Sequence, residues 1–102
     1  MPFDIQRTAE SERVYRLGLR GELDVESGPR LVNGLRRARA GAARLRLDLS
    51  GITFIDCSGL TFLLSELHTA RENGWPVEVD REVSRSVRRI IQMTGVAGLV
   101  WP

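Results

Sequence analysis

The spacing of apolar and polar residues predicts a pair of strands at the start of the chain. Residues 3–9 and 12–20 mix apolar and polar positions as half-buried strands do, and Ser11 and Glu12 suit a turn between them. The glycine-containing segment 21–24 then interrupts the second pattern. We therefore expect an opening hairpin whose second strand ends before residue 21.

Further extended segments follow along the chain. Leucines alternate with charged residues at the start of segment 44–55, and apolar residues continue to its end, which predicts a central strand at the core of a sheet. The pattern from Trp75 to Val79 predicts a short strand. The apolar stretch from Leu99 to Trp101 predicts either a last short strand or a packed tail.

Three segments between these strands have apolar residues at helical spacing. The three stripes are Leu31, Leu35, Ala38 and Ala42; Leu60, Leu63, Leu64 and Leu67; and Val83, Val87, Ile90 and Ile91. Asp24 or Ser27 can cap the first helix, and Pro29 is tolerated in its first turn. We expect the second helix to stop at Gly74 and the third to end near Gly95.

The resulting order is β-β-α-β-α-β-α followed by a tail. Alternating strands and helices favour an α/β fold in which the strands joined by helices are parallel. We expect a single domain over residues 1–102. Its central mixed sheet would have about four to five strands packed against helices.

Composition narrows the class of protein. Of the 102 residues, 42% are hydrophobic and 27% are charged, as in a folded soluble domain. No apolar run approaches the roughly 20 residues that cross a bilayer, and no signal segment opens the chain, so we expect a cytoplasmic protein without a membrane partner. With one cysteine and one histidine, we expect neither a disulfide nor a metal site.

All the basic residues are arginine, and the net charge is only +2. Several of them cluster in sequence, at Arg36, Arg37, Arg39, Arg44 and Arg46. Such a run is more often a solvated helix face with acidic partners than a nucleic-acid surface. We therefore expect no nucleic-acid partner.

The segment Asp56-Cys57-Ser58-Gly59 joins the central strand to the second helix. A helix start presents unpaired backbone N–H groups at the positive end of the helix dipole. Asp56 suits the N-cap position, and Gly59 lets another group approach the backbone closely. The turn therefore suits an anion or a phosphoryl group, although the same residues also suit a plain helix cap with Gly59 needed for packing.

Three motifs in this order resemble the STAS domain family, which includes bacterial anti-sigma factor antagonists and the cytoplasmic domains of sulfate transporters. They are Gly-Glu-Leu-Asp at residues 21–24, segment 48–60 around the turn, and segment 87–95. The likeness covers nearly the whole chain. The short length and the lack of an apolar span favour the free-standing antagonist branch.

This resemblance implies a compact STAS fold and a partner-switching role in transcription. The unphosphorylated protein would bind an anti-sigma factor, often a serine kinase, and so release a sigma factor. The kinase would phosphorylate the turn, and a phosphatase would reverse the modification. A phosphate adds about −1.5 to −2 charge, which would repel a partner docked over the same helix end.

The resemblance also assigns residues. The family's acceptor is the hydroxyl residue directly after the aspartate, and Cys57 occupies that position here. Because a serine kinase does not modify a thiol, Ser58 is the candidate acceptor. The implied partner-binding residues are Asp24, Asp56, Cys57, Ser58 and Gly59. Spacing alone leaves five neighbours as either partner contacts or core: Phe54, Ile55, Thr61, Phe62 and Ser65.

Other functions remain open at this stage. Cys57 at a helix N-terminus could be an activated nucleophile, but His68, the sole histidine, lies about 16 Å along the same predicted helix, so we expect no enzyme. No cofactor is expected, because no glycine-rich phosphate loop supports the nucleotide binding that has precedent among STAS domains. The leading alternative is a scaffold that binds its partner constitutively, since Cys57 replaces the usual acceptor.

Overall fold

The structure, a computed structural model, describes residues 2–102. Its strands are β1 (Asp4–Ser11), β2 (Val14–Leu23), β3 (Arg44–Ile55) and β4 (Val77–Val79), in the sheet order β1-β2-β3-β4. Its helices are α1 (Gly28–Ala40), α2 (Cys57–Glu72), α3 (Arg85–Thr94) and α4 (Ala97–Val100). β1 is antiparallel to β2, whereas β2, β3 and β4 are mutually parallel. The predicted α/β fold with a mixed sheet is confirmed, with four strands.

One face of the sheet carries the core. Six leucines of β2 and β3 face inward and are at most 2% exposed: Leu17, Leu19, Leu23, Leu45, Leu47 and Leu49. They share one cluster with the apolar stripes of the three longer helices. Among the predicted stripe residues, Ala42 and Leu64 are only half-buried. Ala42 lies beyond the end of α1 at Ala40, and Val83 lies just before the start of α3.

The opposite face of the sheet is charged, as the period-two alternation requires. Arg16 and Arg46 are paired across β2 and β3, and Asp80 lies between them. One Asp80 oxygen is 2.6 Å from Arg16 Nη2 and the other is 2.8 Å from Arg46 Nη2. The hydrogen bond that Arg46 donates to Asp80 raises the pKa of Arg46. A carboxylate shared in this way offsets the repulsion between two neighbouring arginines.

The expectation that β2 ends before residue 21 was wrong. β2 continues to Leu23, and Gly21 adopts a φ of 89° while staying paired with Ile52 of β3. A positive φ costs glycine little, so the strand bends there without ending. Because β2 includes residues 21–23, its last residue, Leu23, is paired with Ile55 at the end of β3.

For the C-terminal stretch, the predicted strand was wrong, and the alternative of a packed tail is closer to the structure. Residues Ala97–Val100 form a short helix, α4, whose Val100 is buried. Trp101 follows as a packed residue and donates its indole N–H to the Val79 carbonyl oxygen at 2.9 Å. Within residues 2–102, no helix is both long enough and apolar enough to cross a bilayer.

Candidate functional site

The turn between β3 and α2 lies where the parallel strands end. Ile55 closes β3 and is paired with Leu23 at the end of β2. Asp56 is the N-cap of α2, and its Oδ1 accepts a hydrogen bond from the Gly59 N–H at 2.8 Å. The Asp56 N–H donates to the Leu23 carbonyl oxygen at 3.4 Å. The first turn of α2 is therefore fixed against the end of β2.

Gly59 makes this close approach sterically feasible. A Cβ at this position would lie 2.1 Å from the Leu23 carbonyl oxygen, a backbone atom that cannot move away independently. The backbone of α2 thus packs directly on β2. Packing alone accounts for Gly59, and the same contact brings the start of α2 next to the loop that follows β2.

Cys57 and Ser58 form the exposed part of the turn. Both residues are exposed, and the Cys57 thiol is free. The Thr61 hydroxyl, one helical turn further on, donates to the Cys57 carbonyl oxygen at 2.8 Å. The Ser58 side chain has no hydrogen-bond partner among residues 2–102. Its hydroxyl is therefore accessible at the positive end of the α2 dipole.

The loop between β2 and α1, residues 24–27, lies beside this turn because β2 and β3 end together. Asp24 Oδ1 accepts hydrogen bonds from the Glu26 N–H at 3.0 Å and from the Ser27 N–H at 3.1 Å. These bonds, led by the one from the Ser27 backbone, hold the pKa of Asp24 below its ordinary range. Asp24 therefore acts as an ionised residue that organises the loop.

Ser27 occupies the N-cap position of α1 but does not cap it with its side chain. Its hydroxyl points back to β2 and donates to the Glu22 carbonyl oxygen at 2.9 Å. Ser27 is 2% exposed. Of the two caps predicted for this helix, Asp24 thus binds the loop backbone, and Ser27 ties the loop to the strand.

Two exposed apolar side chains belong to the two loops or their flanks. Val25, in the 24–27 loop, is 63% exposed, and Phe54, two residues before Asp56, is 46% exposed. Among the residues left undecided by spacing, Ile55 is core, Phe62 is half-buried, and the exposed ones are Phe54, Thr61 and Ser65. Exposed apolar residues next to polar ones are typical of interaction surfaces.

Sequence reasoning missed Val25 and Gly28. Val25 had a local signal, because it is an apolar residue between two acidic ones in a capping loop. Gly28 had none: a Cβ there would lie 2.2 Å from the Phe62 ring, so it sets the closeness of α1 to α2 through a contact that is distant in sequence. Gly28 allows the start of α1 to pack on Phe62 of α2, and Gly59 allows the start of α2 to pack on Leu23 of β2.

The structure places His68 far from Cys57. Helix α2 is continuous from Cys57 to Glu72, so His68 lies about 16 Å further along the same axis. The His68 side chain is 75% exposed, and its Nε2 is 3.7 Å from the Glu72 carboxylate. Cys57 and His68 are therefore too far apart to act together as a nucleophile and its base.

The sequence matches the family model STAS_2, described as Mlab, STAS domain, over residues 6–101. The chain belongs to the STAS family. This membership confirms the resemblance seen in the three sequence motifs. No curated protein sequence gives a significant match to this STAS domain.

Solved STAS structures share its fold. An anti-sigma factor antagonist from Mycobacterium paratuberculosis has a TM-score of 0.71 and 23% identity, covering 95% of this chain and 81% of that one. The anti-sigma factor antagonist SpoIIAA in its unphosphorylated form has a TM-score of 0.70 and 17% identity, covering 94% and 84%. SpoIIAA in its phosphorylated form, a Bacillus cell fate determinant, has a TM-score of 0.66 and 16% identity, covering 94% of this chain and 87% of that one. At these identities the likeness shows the fold alone.

Proposed function

We propose that this STAS domain is an anti-sigma factor antagonist that acts in the cytoplasm. It binds an anti-sigma factor of the serine-kinase type and so releases a sigma factor. The proposed partner-binding residues are Asp24, Asp56, Cys57, Ser58 and Gly59. The proposal extends to residues 1–102 acting as one interaction domain, without catalytic residues or a cofactor.

The observation that supports this proposal most is the exposed Ser58 hydroxyl on a rigid turn. Asp56 and Gly59 fix the backbone on both sides of it, so a partner meets a preformed surface. The exposed side chain of Val25 adds apolar area from the adjacent loop. A rigid, partly apolar surface centred on one modifiable hydroxyl suits a partner whose binding is switched.

Phosphorylation of Ser58 is the proposed switch, and a phosphatase reverses it. A phosphate at the start of α2 is compatible with folding, because backbone N–H groups and the helix dipole favour an anion there. The same phosphate opposes docking. It carries about −1.5 to −2 charge, and burying that charge under the partner would remove its hydration at a cost in free energy. Modification therefore lowers partner affinity and leaves the fold intact.

Calorimetric titration with the serine-kinase-type anti-sigma factor of the same organism tests the proposal. We expect the unmodified protein to bind and the Ser58→Asp variant to bind at least about tenfold more weakly. The matched control is Ser11→Asp, which adds the same charge at an exposed serine on β1, at the other end of β2. Equal affinities for both variants, or no binding by the unmodified protein, would contradict the proposal.

A constitutive STAS scaffold is the second candidate, and Cys57 at the family's acceptor position favours it. A scaffold would bind the same partner through the same surface. Its affinity would stay the same after incubation with kinase and ATP. The two functions therefore differ in one observable, which is phosphate on Ser58.

A further inference from the structure

An open groove lies between β1 and α1. Ile5 and Arg7 of β1 are paired with Leu19 and Leu17 of β2, so their side chains share the core-facing side of the sheet. Helix α1 covers this strip only in part: Gly34 packs against Ile5, which is half-buried, and Arg7 is exposed. The result is a groove of about 550 Å³ with an apolar floor that includes Leu17 and Phe3.

Three arginines line the groove: Arg7 from β1, and Arg30 and Arg37 from α1. Among residues 2–102, none of the three forms an ion pair with a carboxylate, unlike the arginines on the opposite sheet face. Arg7 instead stacks over the Tyr15 ring at 4.7 Å. Asp4 is the one acidic residue in the lining, so positive charge is in excess.

This charge is spread along the groove. Arg30 and Arg37 are seven residues apart on one helix, which separates them by about 10 Å along the axis. An extended peptide covers the same distance in about three residues. A compact anion such as a single phosphate cannot contact both ends. The spacing therefore favours an elongated ligand with several negative charges.

β1 is also an edge of the sheet. It pairs with β2 on one side and with no other strand among the described residues. Along its eight residues, alternate N–H and C=O groups point outward, and every side chain except Ile5 is exposed. A strand of this kind can accept a peptide as an additional strand through main-chain hydrogen bonds.

We propose that β1 and the arginine-lined groove bind an acidic, extended segment of a partner protein, which adds to β1 as a fifth strand. Alternate carboxylates of the segment face Arg7, Arg30 and Arg37 on the core-facing side of the sheet, and the side chains between them point to the opposite side. A free strand edge can form a ladder of main-chain hydrogen bonds with a peptide, and a nucleic acid has no backbone that can form this ladder. None of the groove residues belongs to the proposed anti-sigma factor surface, so the two proposals stand or fall separately.

Fluorescence anisotropy tests this proposal without any sigma-factor protein. The probe is a fluorescein-labelled peptide with the length of β1 that alternates glutamate and valine. We expect binding that weakens with added salt and falls at least about tenfold in the Arg30→Glu/Arg37→Glu variant. The matched control is Arg85→Glu/Arg89→Glu, which makes the same charge change on exposed positions of α3 and should leave the affinity unchanged.

Two further peptides test the strand addition itself. Each carries methyl groups on one of the two alternating sets of backbone nitrogens, and only one set donates to β1. We expect one methylated peptide to bind at least about tenfold more weakly and the other to bind like the parent. In the native protein, amide shifts on adding the parent peptide should be confined to β1, β2 and α1.

Several results would overturn the proposal. They are equal binding of all three peptides, equal binding of a peptide with lysine in place of glutamate, and unchanged affinity in the Arg30→Glu/Arg37→Glu variant. Amide shifts centred outside the groove would overturn it as well. A single-stranded RNA that displaces the peptide at lower concentration would assign the groove to nucleic acid instead.

Discussion

Two loops that follow neighbouring parallel strands have the same aspartate hydrogen bond. Asp24 accepts the Ser27 N–H at 3.1 Å, and Asp56 accepts the Gly59 N–H at 2.8 Å, in each case from three residues further on. Each loop also contains a serine. This hydrogen bond therefore does not distinguish the two loops, and a difference between them lies in where the serine hydroxyl points.

In the first loop the hydroxyl is structural. Ser27 is 2% exposed, and its hydroxyl is bonded to the Glu22 carbonyl oxygen. In the second loop Ser58 is exposed one residue earlier, and glycine takes the buried position. An aspartate turn at a strand end is thus not in itself a modification site, because only an exposed hydroxyl can enter a kinase. The following changes test that distinction.

The largest expected effect on stability comes from changing Gly59, the buried glycine of the second loop. Gly59→Ala should lower the free energy of unfolding by about 2 kcal/mol or more, because its Cβ would lie 2.1 Å from the Leu23 carbonyl oxygen. Urea denaturation measures the change. The control is Gly41→Ala, where a Cβ meets no atom within 4 Å. If both variants unfold at the same urea concentration, the close packing of α2 on β2 is not essential.

The two serines should differ in the same assay. Ser27→Ala should destabilise the protein by about 1–2 kcal/mol, because it removes a buried donor and leaves the Glu22 carbonyl oxygen without that bond. Ser58→Ala should change stability by no more than about 0.5 kcal/mol, since its hydroxyl has no hydrogen-bond partner among the described residues. Equal destabilisation by the two substitutions would contradict the comparison between a structural and an accessible hydroxyl.

Removing the cap of α2 should have a moderate effect. Asp56→Ala should cost about 1 kcal/mol, because the Gly59 N–H loses its acceptor. Asp56→Asn keeps an oxygen acceptor and should retain most of the stability. Thermal unfolding monitored by circular dichroism separates the two variants. Equal melting temperatures for Asp56→Ala and the native protein would show that Asp56 does not fix the turn.

The smallest effect concerns the ionised aspartate of the first loop. The pKa of Asp24 is lowered in the folded protein, chiefly by the hydrogen bond from the Ser27 backbone, so an NMR titration should give a midpoint below the ordinary value of an aspartate. A lowered folded-state pKa means that the carboxylate stabilises the fold above its unfolded-state pKa. That contribution is lost as the pH falls through the folded-state value.

The control for this pH dependence is Asp24→Asn, which has no charge to lose. Between about pH 5 and pH 2, native stability should fall more steeply than that of the variant. Parallel curves for the two proteins would indicate that the carboxylate is not held in its charged form by the loop. The comparison of the two loops would then rest on the serines alone.

The sequence predicted the elements whose burial pattern is local. The alternating leucines set β3 at 44–55 as observed, and the stripe from Leu60 to Leu67 set α2 within a residue of its observed end. The end of β2 was misjudged because Gly21 stays in the sheet through pairing with Ile52, a tertiary match that no local pattern contains. The short stretch before Trp101 was too brief to distinguish strand from helix.

The same division applies to the site. Asp56 as an N-cap followed from its position between a strand and a helical stripe. The burial of Ser27 did not follow, because it depends on how the loop folds back on β2. The groove beside β1 could not be predicted from the sequence either. Arg7 and Arg37 line the same groove only because the hairpin and α1 pack together. Contacts between distant segments are the part that periodicity does not encode.

Phosphate mapping tests the central claim, which is that Ser58 is an acceptor although Cys57 precedes it. The native protein, Ser58→Ala and Cys57→Ser would each be incubated with the serine-kinase-type anti-sigma factor and magnesium ATP, and then sequenced by tandem mass spectrometry. The account predicts phosphate on Ser58 of the native protein, none on Ser27, and none anywhere in Ser58→Ala. A native protein left unmodified by a kinase that phosphorylates the Cys57→Ser variant at position 57 would contradict it.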